Sequence, residues 1–170
     1  MAVFGRAFLA TVEWEGGYVN DPDDAGGETR YGISKRQYPD EDIQGLTLER
    51  ARELYKRDYW DALGLDKLNS QPCAEKVFDM AVNMGMGVAT RCLQRACNYL
   101  ISRSKEVKVD GKLGKRTRSA ANWITRNSTG GRRLLLALRG YHFGHYGWLV
   151  EGPDTRYEKF AAGWLERALG

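Results

Sequence analysis

Between Glu13 and Ser34 the chain reads EWEGGYVNDPDDAGGETRYGIS, which holds six acidic side chains and five glycines. Carboxylates at this density on flexible backbone are the materials of general acid and base chemistry. Glu15 closes a helical pattern that starts near Val3. At about 100° per residue, Phe4, Ala7, Phe8, Thr11, Val12 and Glu15 share one side, and Glu13 points nearly opposite. A carboxylate at a helix C-terminus meets the negative end of the macrodipole. On the apolar face it is also desolvated, so both effects favour the protonated form and should raise its pKa, as a general acid working near neutral pH requires. Asp24, nine residues on, is a second carboxylate, with Asp21 and Asp23 on the same loop. Two carboxyl groups across a cleft, one protonated and one ionised, are the working pair of glycoside hydrolysis. Thr29, after Gly26-Gly27, is placed to orient a water, and the glycines let backbone approach a bulky substrate. The same residue types are what exposed turns collect, so composition alone leaves a plain surface loop open.

The elements that must position these residues are mostly helical. Gly16-Gly17 should stop the first helix. The segment from Tyr18 to Ser34 is rich in turn signals, and TRYGIS suits one strand of a small hairpin. A second helix should begin at Thr47 as N-cap and carry Leu48, Ala51, Tyr55, Tyr59 and Ala62 on one face. PCAEKVFDMAVNMG gives a third, with Val77, Met80, Ala81 and Met84 inward and a break at Gly85 and Gly87. A fourth spans about Ala89 to Ser102, with Leu93, Ala96, Cys97 and Leu100 inward. VKVDGKLGKRT reads as a turn, with Thr117 placed to cap the next helix. RSAANWITRN and GGRRLLLALRGYHFGHYGWLV supply two more helices, and RYEKFAAGWLERAL supplies a last one beyond Gly152-Pro153. A mainly α fold with one small hairpin is expected, with a soft boundary near residue 90.

A chain of 170 residues with 42% hydrophobic and 28% charged residues can bury a sizeable core and fold alone. The apolar patch at the N-terminus is short and soon interrupted by Glu13 and Glu15, so no secretory signal is expected. No run approaches the roughly 20 apolar residues of a membrane span. Cys73, Cys92 and Cys97 lack C-x-x-C spacing and read as buried thiols. His142 and His145 share a helix face at i, i+3 without an acidic ligand cluster, so no metal is expected. The net charge of +4 favours polyanions, but the basic residues form no long arm and no nucleic-acid motif.

EGGYVNDPDDAGGETRYGIS resembles the signature of the glycoside hydrolase family 108 muramidases, lysozyme-like proteins found as phage endolysins and as wall-remodelling partners of bacterial secretion. In that family the glutamate of the E-G-G-Y motif is the catalytic acid, a role that carries over to Glu15. The N-D-P-x-D-x-G-G-x-T pattern falls on Asn20, Asp21, Pro22, Asp24, Gly26, Gly27 and Thr29. YKRDYW (Tyr55 to Trp60) and DMAVNMGMGVATRCLQRA (Asp79 to Ala96) extend the likeness, and DGKLGKRT and KFAAGWLERA resemble the peptidoglycan-binding half that usually completes such proteins. The spacing of Glu15, Asp24 and Thr29 is also similar to the Glu-Asp-Thr set of phage-type lysozymes, one residue shorter between Asp and Thr.

The resemblance implies a lysozyme-like helical fold with its hairpin beside the active-site loop. It implies a catalytic part over 1–90 and a peptidoglycan-binding part over 91–170, packed into one globular body. The implied activity is cleavage of the β-1,4 bond between N-acetylmuramic acid and N-acetylglucosamine in peptidoglycan. Glu15 would be the acid, Asp24 the second carboxylate and Thr29 the water-orienting hydroxyl. Tyr18, Asn20, Gly27, Tyr31 and Asn83 would contact the glycan, with Tyr59 and Trp60 equally suited to stacking or to the core. Peptidoglycan is the expected partner, with no cofactor, metal, nucleic acid or membrane span, and the chain is expected to act as a monomer. Synthesis in the bacterial cytoplasm without a signal peptide, followed by action on the wall after holin or other export, fits the same reading. A lytic transglycosylase using the same glutamate and a non-catalytic wall-binding module are the alternatives; a nucleic-acid binder rests on charge alone.

Overall fold

The computed structural model describes residues 1–12, 18 and 27–170, apart from the side chains of Thr155 and Arg156. Its first helix, α1, covers Phe4–Val12 and buries Phe4, Ala7, Phe8 and Thr11, the face read from the sequence. Within TRYGIS the structure holds both strands of the hairpin, β1 (Thr29–Arg30) and β2 (Ile33–Ser34), where the pattern suggested one. Thr29 pairs with Ser34 and Arg30 with Ile33. The reversal is made by Tyr31 and Gly32, at φ 52° and 74°, the double left-handed geometry that a two-residue hairpin loop needs. Tyrosine at a positive φ is uncommon.

α2 covers Leu48–Tyr55, and the Thr47 hydroxyl accepts from the Arg50 amide as its N-cap. A π-helical turn follows over Lys56–Asp61. Its wider winding shifts the register: Tyr55, Tyr59 and Trp60 are buried, but the next inward residue is Leu63, and Ala62 faces solvent. Leu48, expected inward, is exposed at the first position of the helix. Both departures have local causes, a helix end and an inserted residue in the winding.

α3 (Gln71–Met84) is the central element and buries Cys73, Ala74, Lys76, Val77, Phe78, Met80 and Ala81, far more than one stripe. Phe78 is the hub of an aromatic cluster, with ring centroids 5.7 Å from Phe4, 5.9 Å from Trp60 and 6.1 Å from Tyr55, all near edge-on. Gly85 at φ 82° ends α3, and α4 (Met86–Leu100) starts at once, so Gly87 lies inside a helix instead of breaking one. A single left-handed glycine is enough to redirect the chain.

α5 (Lys115–Ile124) follows the DGKLG turn. Gly114 precedes it as the capping residue, and Thr117 is buried instead, accepting from Gln94 Nε2 at 3.3 Å. The buried Gln94 also donates to Asp110 Oδ1 and the Lys112 carbonyl, and accepts from the Gly111 amide. The turn is thus tied by one amide side chain from α4. α6 (Ser128–Val150), capped by Asn127, and α7 (Ala161–Leu169) complete the seven helices of the described residues. α6 packs against α3, α4 and α7, and a continuous apolar cluster runs from Phe4 in α1 to Leu134 and Leu138 in α6. Fully buried side chains of this number dominate the stability of a domain of this size, each contributing about 1.5–3 kcal/mol.

Candidate active site

The hairpin is fixed to the molecule by three polar side chains of the Tyr55–Tyr59 stretch. The Tyr55 hydroxyl donates to the Tyr31 carbonyl at 2.9 Å. Asp58 Oδ2 accepts from the Tyr38 hydroxyl at 2.9 Å, and the Tyr59 oxygen accepts from Gln37 Nε2 at 2.5 Å. Residues 31–38 are therefore bonded to α2 and to the π-helical turn that follows it. The Lys35 amide closes on the Glu28 carbonyl at 2.8 Å, and Arg30 donates to the Gln44 carbonyl. Tyr59 and Trp60, suited by sequence to stacking or to the core, are both buried in the core. The parts of Tyr55 and Asp58 at this junction were not legible in the motifs. The available signal was a run of polar tips within an otherwise apolar helix face, since buried hydroxyls and carboxylates need partners.

Of the expected site residues, Glu15, Asn20 and Asp24 lie outside the described residues, as do Asp21 and Asp23. The described part of α1 reaches Val12, three residues before Glu15, and the described chain runs on from Gly27, three residues after Asp24. Both ends are fixed, by burial of Phe8 and Thr11 on one side and by the hairpin on the other. Gly27 has φ 67°, and no atom of the described residues lies within 4 Å of the place a side chain would take. Thr29 begins β1 half-buried, and its hydroxyl donates to the Gly27 carbonyl at 3.2 Å. Its oxygen keeps lone pairs with which to accept a proton from water.

Tyr31 is half-buried at the hairpin tip, with the Arg30 guanidinium 5.4 Å from its ring centroid. Tyr18 is exposed and donates to Glu28 Oε1 at 3.3 Å. Tyr18, Gly27, Thr29 and Tyr31 are thus gathered on and beside the hairpin. Asn83 is not bonded to that group: it is exposed on the last turn of α3, where its amide donates to the Asp79 carbonyl at 2.7 Å and to Asp79 Oδ1 at 3.2 Å. Those two bonds occupy its donors.

Two acids near the base of the hairpin, Asp58 and Glu41, are ionised anchors. The Arg57 guanidinium beside Asp58 holds its carboxyl below the usual range, with help from the Tyr38 hydroxyl, while burial and that same hydrogen bond push the Tyr38 phenol upward. Arg50 does the same to Glu41. A group held as an anion at neutral pH has no proton to donate, so neither suits the role of general acid. Among the described residues no group of three or more His, Cys, Asp or Glu is arranged to hold a metal ion. Nor is any described helix long and apolar enough to cross a membrane.

Residues 8–85 match the family model described as Glycosyl hydrolase 108, and residues 88–169 match that of the Predicted Peptidoglycan domain. The solved structure of Brucella abortus SagA is similar to this chain over 98% of its length and 89% of that chain, at 24% identity and a TM-score of 0.73. That likeness shows the mainly α, lysozyme-like fold with its small hairpin. No curated protein is similar enough in sequence to match. Residues 8–85, which carry the anchored hairpin, are thus a glycosyl hydrolase 108 domain and residues 88–169 a predicted peptidoglycan domain, the make-up of a glycoside hydrolase acting on peptidoglycan.

Proposed function

We propose that the protein is an N-acetylmuramidase that hydrolyses the β-1,4 bond from N-acetylmuramic acid to N-acetylglucosamine. The observation that carries this reading is the match of residues 8–85 to the glycosyl hydrolase 108 model, which spans both the E-G-G-Y motif and the hairpin. Glu15 donates a proton to the leaving glycosidic oxygen. Asp24 stabilises the oxocarbenium-like transition state or takes a proton from water, its separation from Glu15 setting inversion or retention. Thr29 accepts from that water. The support for Thr29 is its place on β1, where the hairpin and the bond to Gly27 restrict its rotation.

Tyr18, Asn20, Gly27 and Tyr31 would contact the glycan beside the hairpin, with Asn83 further along α3. We divide the chain into a catalytic part over 1–90 and a wall-binding part over 91–170. We also infer an endolysin-type role for a monomer made in the bacterial cytoplasm and acting on the wall after holin or other export. The net charge of +4 supports adsorption to the anionic wall, an attraction that weakens as salt rises.

The test is digestion of purified peptidoglycan by wild type and Glu15→Gln, with mass spectrometry of the released fragments. Reducing N-acetylmuramic acid ends from wild type alone are expected. Anhydro ends would make the enzyme a lytic transglycosylase. Release that persists undiminished in Glu15→Gln would remove Glu15 from the mechanism.

A further inference from the structure

α5 buries Thr117, Ala121 and Ile124 and turns Trp123 outward, 46% exposed. This indole is not idle surface, because it forms the shared wall of two adjoining pockets. One, of about 360 Å³, is lined on its apolar side by Ile101, Val107 and Ala120 and also by Lys105, Lys115 and Arg116. The other, of about 330 Å³, is lined by Leu100 and Ile124 together with Arg126 and Arg133. Among the described residues, five cations line the pair and no acidic residue does. The Arg126 guanidinium lies 4.5 Å from the Trp123 ring centroid and the Lys105 ammonium 5.4 Å. Cations held against an aromatic face by its quadrupole keep the ring in one orientation before any ligand arrives.

A ligand that fits must offer an apolar face to the indole and negative charge to its neighbours. A pyranose supplies such a face in its C–H groups, and carboxylates supply the charge. A glycan strand bearing carboxylate-rich stem peptides combines both at short repeat, which peptidoglycan does. Nucleic acid also combines rings with anions, but among the described residues no second aromatic lines either pocket to continue a stack of bases.

We propose that Trp123, with Lys105, Lys115, Arg116 and Arg126, forms a non-catalytic peptidoglycan-binding site on the predicted peptidoglycan domain, the indole under a sugar ring and the cations on stem-peptide carboxylates. This rests on the reading that peptidoglycan is the substrate. The site holds the enzyme to the insoluble wall and leaves cleavage of short soluble strands to the hairpin region.

The experiment compares the full-length wild type with Trp123→Ala, Trp123→Phe and Lys115→Glu/Arg116→Glu. Binding is read by co-sedimentation on ice with purified sacculi freed of teichoic acid. Activity is read as reducing ends released from sacculi and, separately, from soluble disaccharide-peptide oligomers. Trp123→Ala should weaken sedimentation about tenfold, the size of an interface aromatic truncated at 1.4 kcal/mol. Trp123→Phe should retain most binding, and the charge reversal should weaken it and flatten its salt dependence. Release from oligomers should stay within about twofold of wild type for all three. Equal sedimentation by all variants, while wild type still digests sacculi, overturns the proposal and leaves the enzyme reading standing. Loss of binding to a DNA duplex in Trp123→Ala, with sedimentation unchanged, also overturns it and assigns the surface to nucleic acid. If wild type neither sediments with sacculi nor digests them, the functional reading fails first and this proposal with it.

Discussion

His142 makes the stability of this protein pH-dependent in a way that can be worked out from its surroundings. The imidazole is fully buried on α6, and neither ring nitrogen has a hydrogen-bond partner among the described residues. Lys76 on α3, Arg167 on α7 and His145 on α6 add positive potential around it, and the Tyr146 ring lies 4.6 Å away. Burial first, and these cations second, push its pKa down from 6.5 to about 3. The folded state therefore refuses a proton that the unfolded state accepts below about pH 6.5. Stability is fully present above that value and is lost as pH falls towards 3, at about 1.4 kcal/mol per unit. Between pH 7 and pH 5 the loss from this one group is about 2 kcal/mol.

The assay is urea unfolding at both pH values for wild type and His142→Leu, a substitution that keeps apolar volume and removes the titration. Other groups cancel in the comparison. Wild type should lose about 2 kcal/mol more than His142→Leu between pH 7 and pH 5, and at pH 7 the variant should lie within about 1.5 kcal/mol of wild type. Equal pH dependence of the two proteins would refute the reasoning, since it would mean that His142 is protonated as readily folded as unfolded.

Two further consequences concern the interior. Asp79 accepts from Arg167 Nε at 2.9 Å and lies 3.5 Å from the Lys76 ammonium, all three being largely buried, so it joins α7 to α3. Asp79→Ala removes the carboxylate that two largely buried cations share and should cost about 3–5 kcal/mol by urea unfolding, whereas the joint change Lys76→Met/Asp79→Leu/Arg167→Met should cost much less; a cost under about 1 kcal/mol for Asp79→Ala would contradict the role given to this carboxylate. Burial raises the thiols of Cys73, Cys92 and Cys97, the last to about 12, so at pH 8 a disulfide reagent should label almost none of them in the folded protein and all three in denaturant.

The helices were legible because their signals are local. Phe4, Ala7, Phe8 and Thr11 recur at helical spacing and are buried together, and Thr47 caps α2 as its hydroxyl predicts. The resemblance carried by EGGYVNDPDDAGGETRYGIS led to the family in the same way, since a motif is read residue by residue without tertiary contacts. What stayed hidden was non-local. That TRYGIS is a whole hairpin depends on Tyr31 accepting a left-handed backbone, and the Tyr55 bond to its carbonyl comes from a helix 24 positions away. The π-helical turn that moves Ala62 outward leaves no mark in a 3.6-residue pattern.

The expected cap at Thr117 failed because α5 starts two residues earlier, at Lys115 after Gly114, so Thr117 lies inside the helix, where its buried hydroxyl accepts from Gln94 of α4. The sequence by itself determined the helical class, the apolar faces and the motif that names the chemistry, because propensity, capping and periodicity act over a few residues. Only the tertiary structure decided that Lys76, Asp79, His142 and Arg167 share one interior, and that Trp123 divides two cationic pockets. Charge and burial are properties of neighbours, and neighbours drawn from different helices are set by packing.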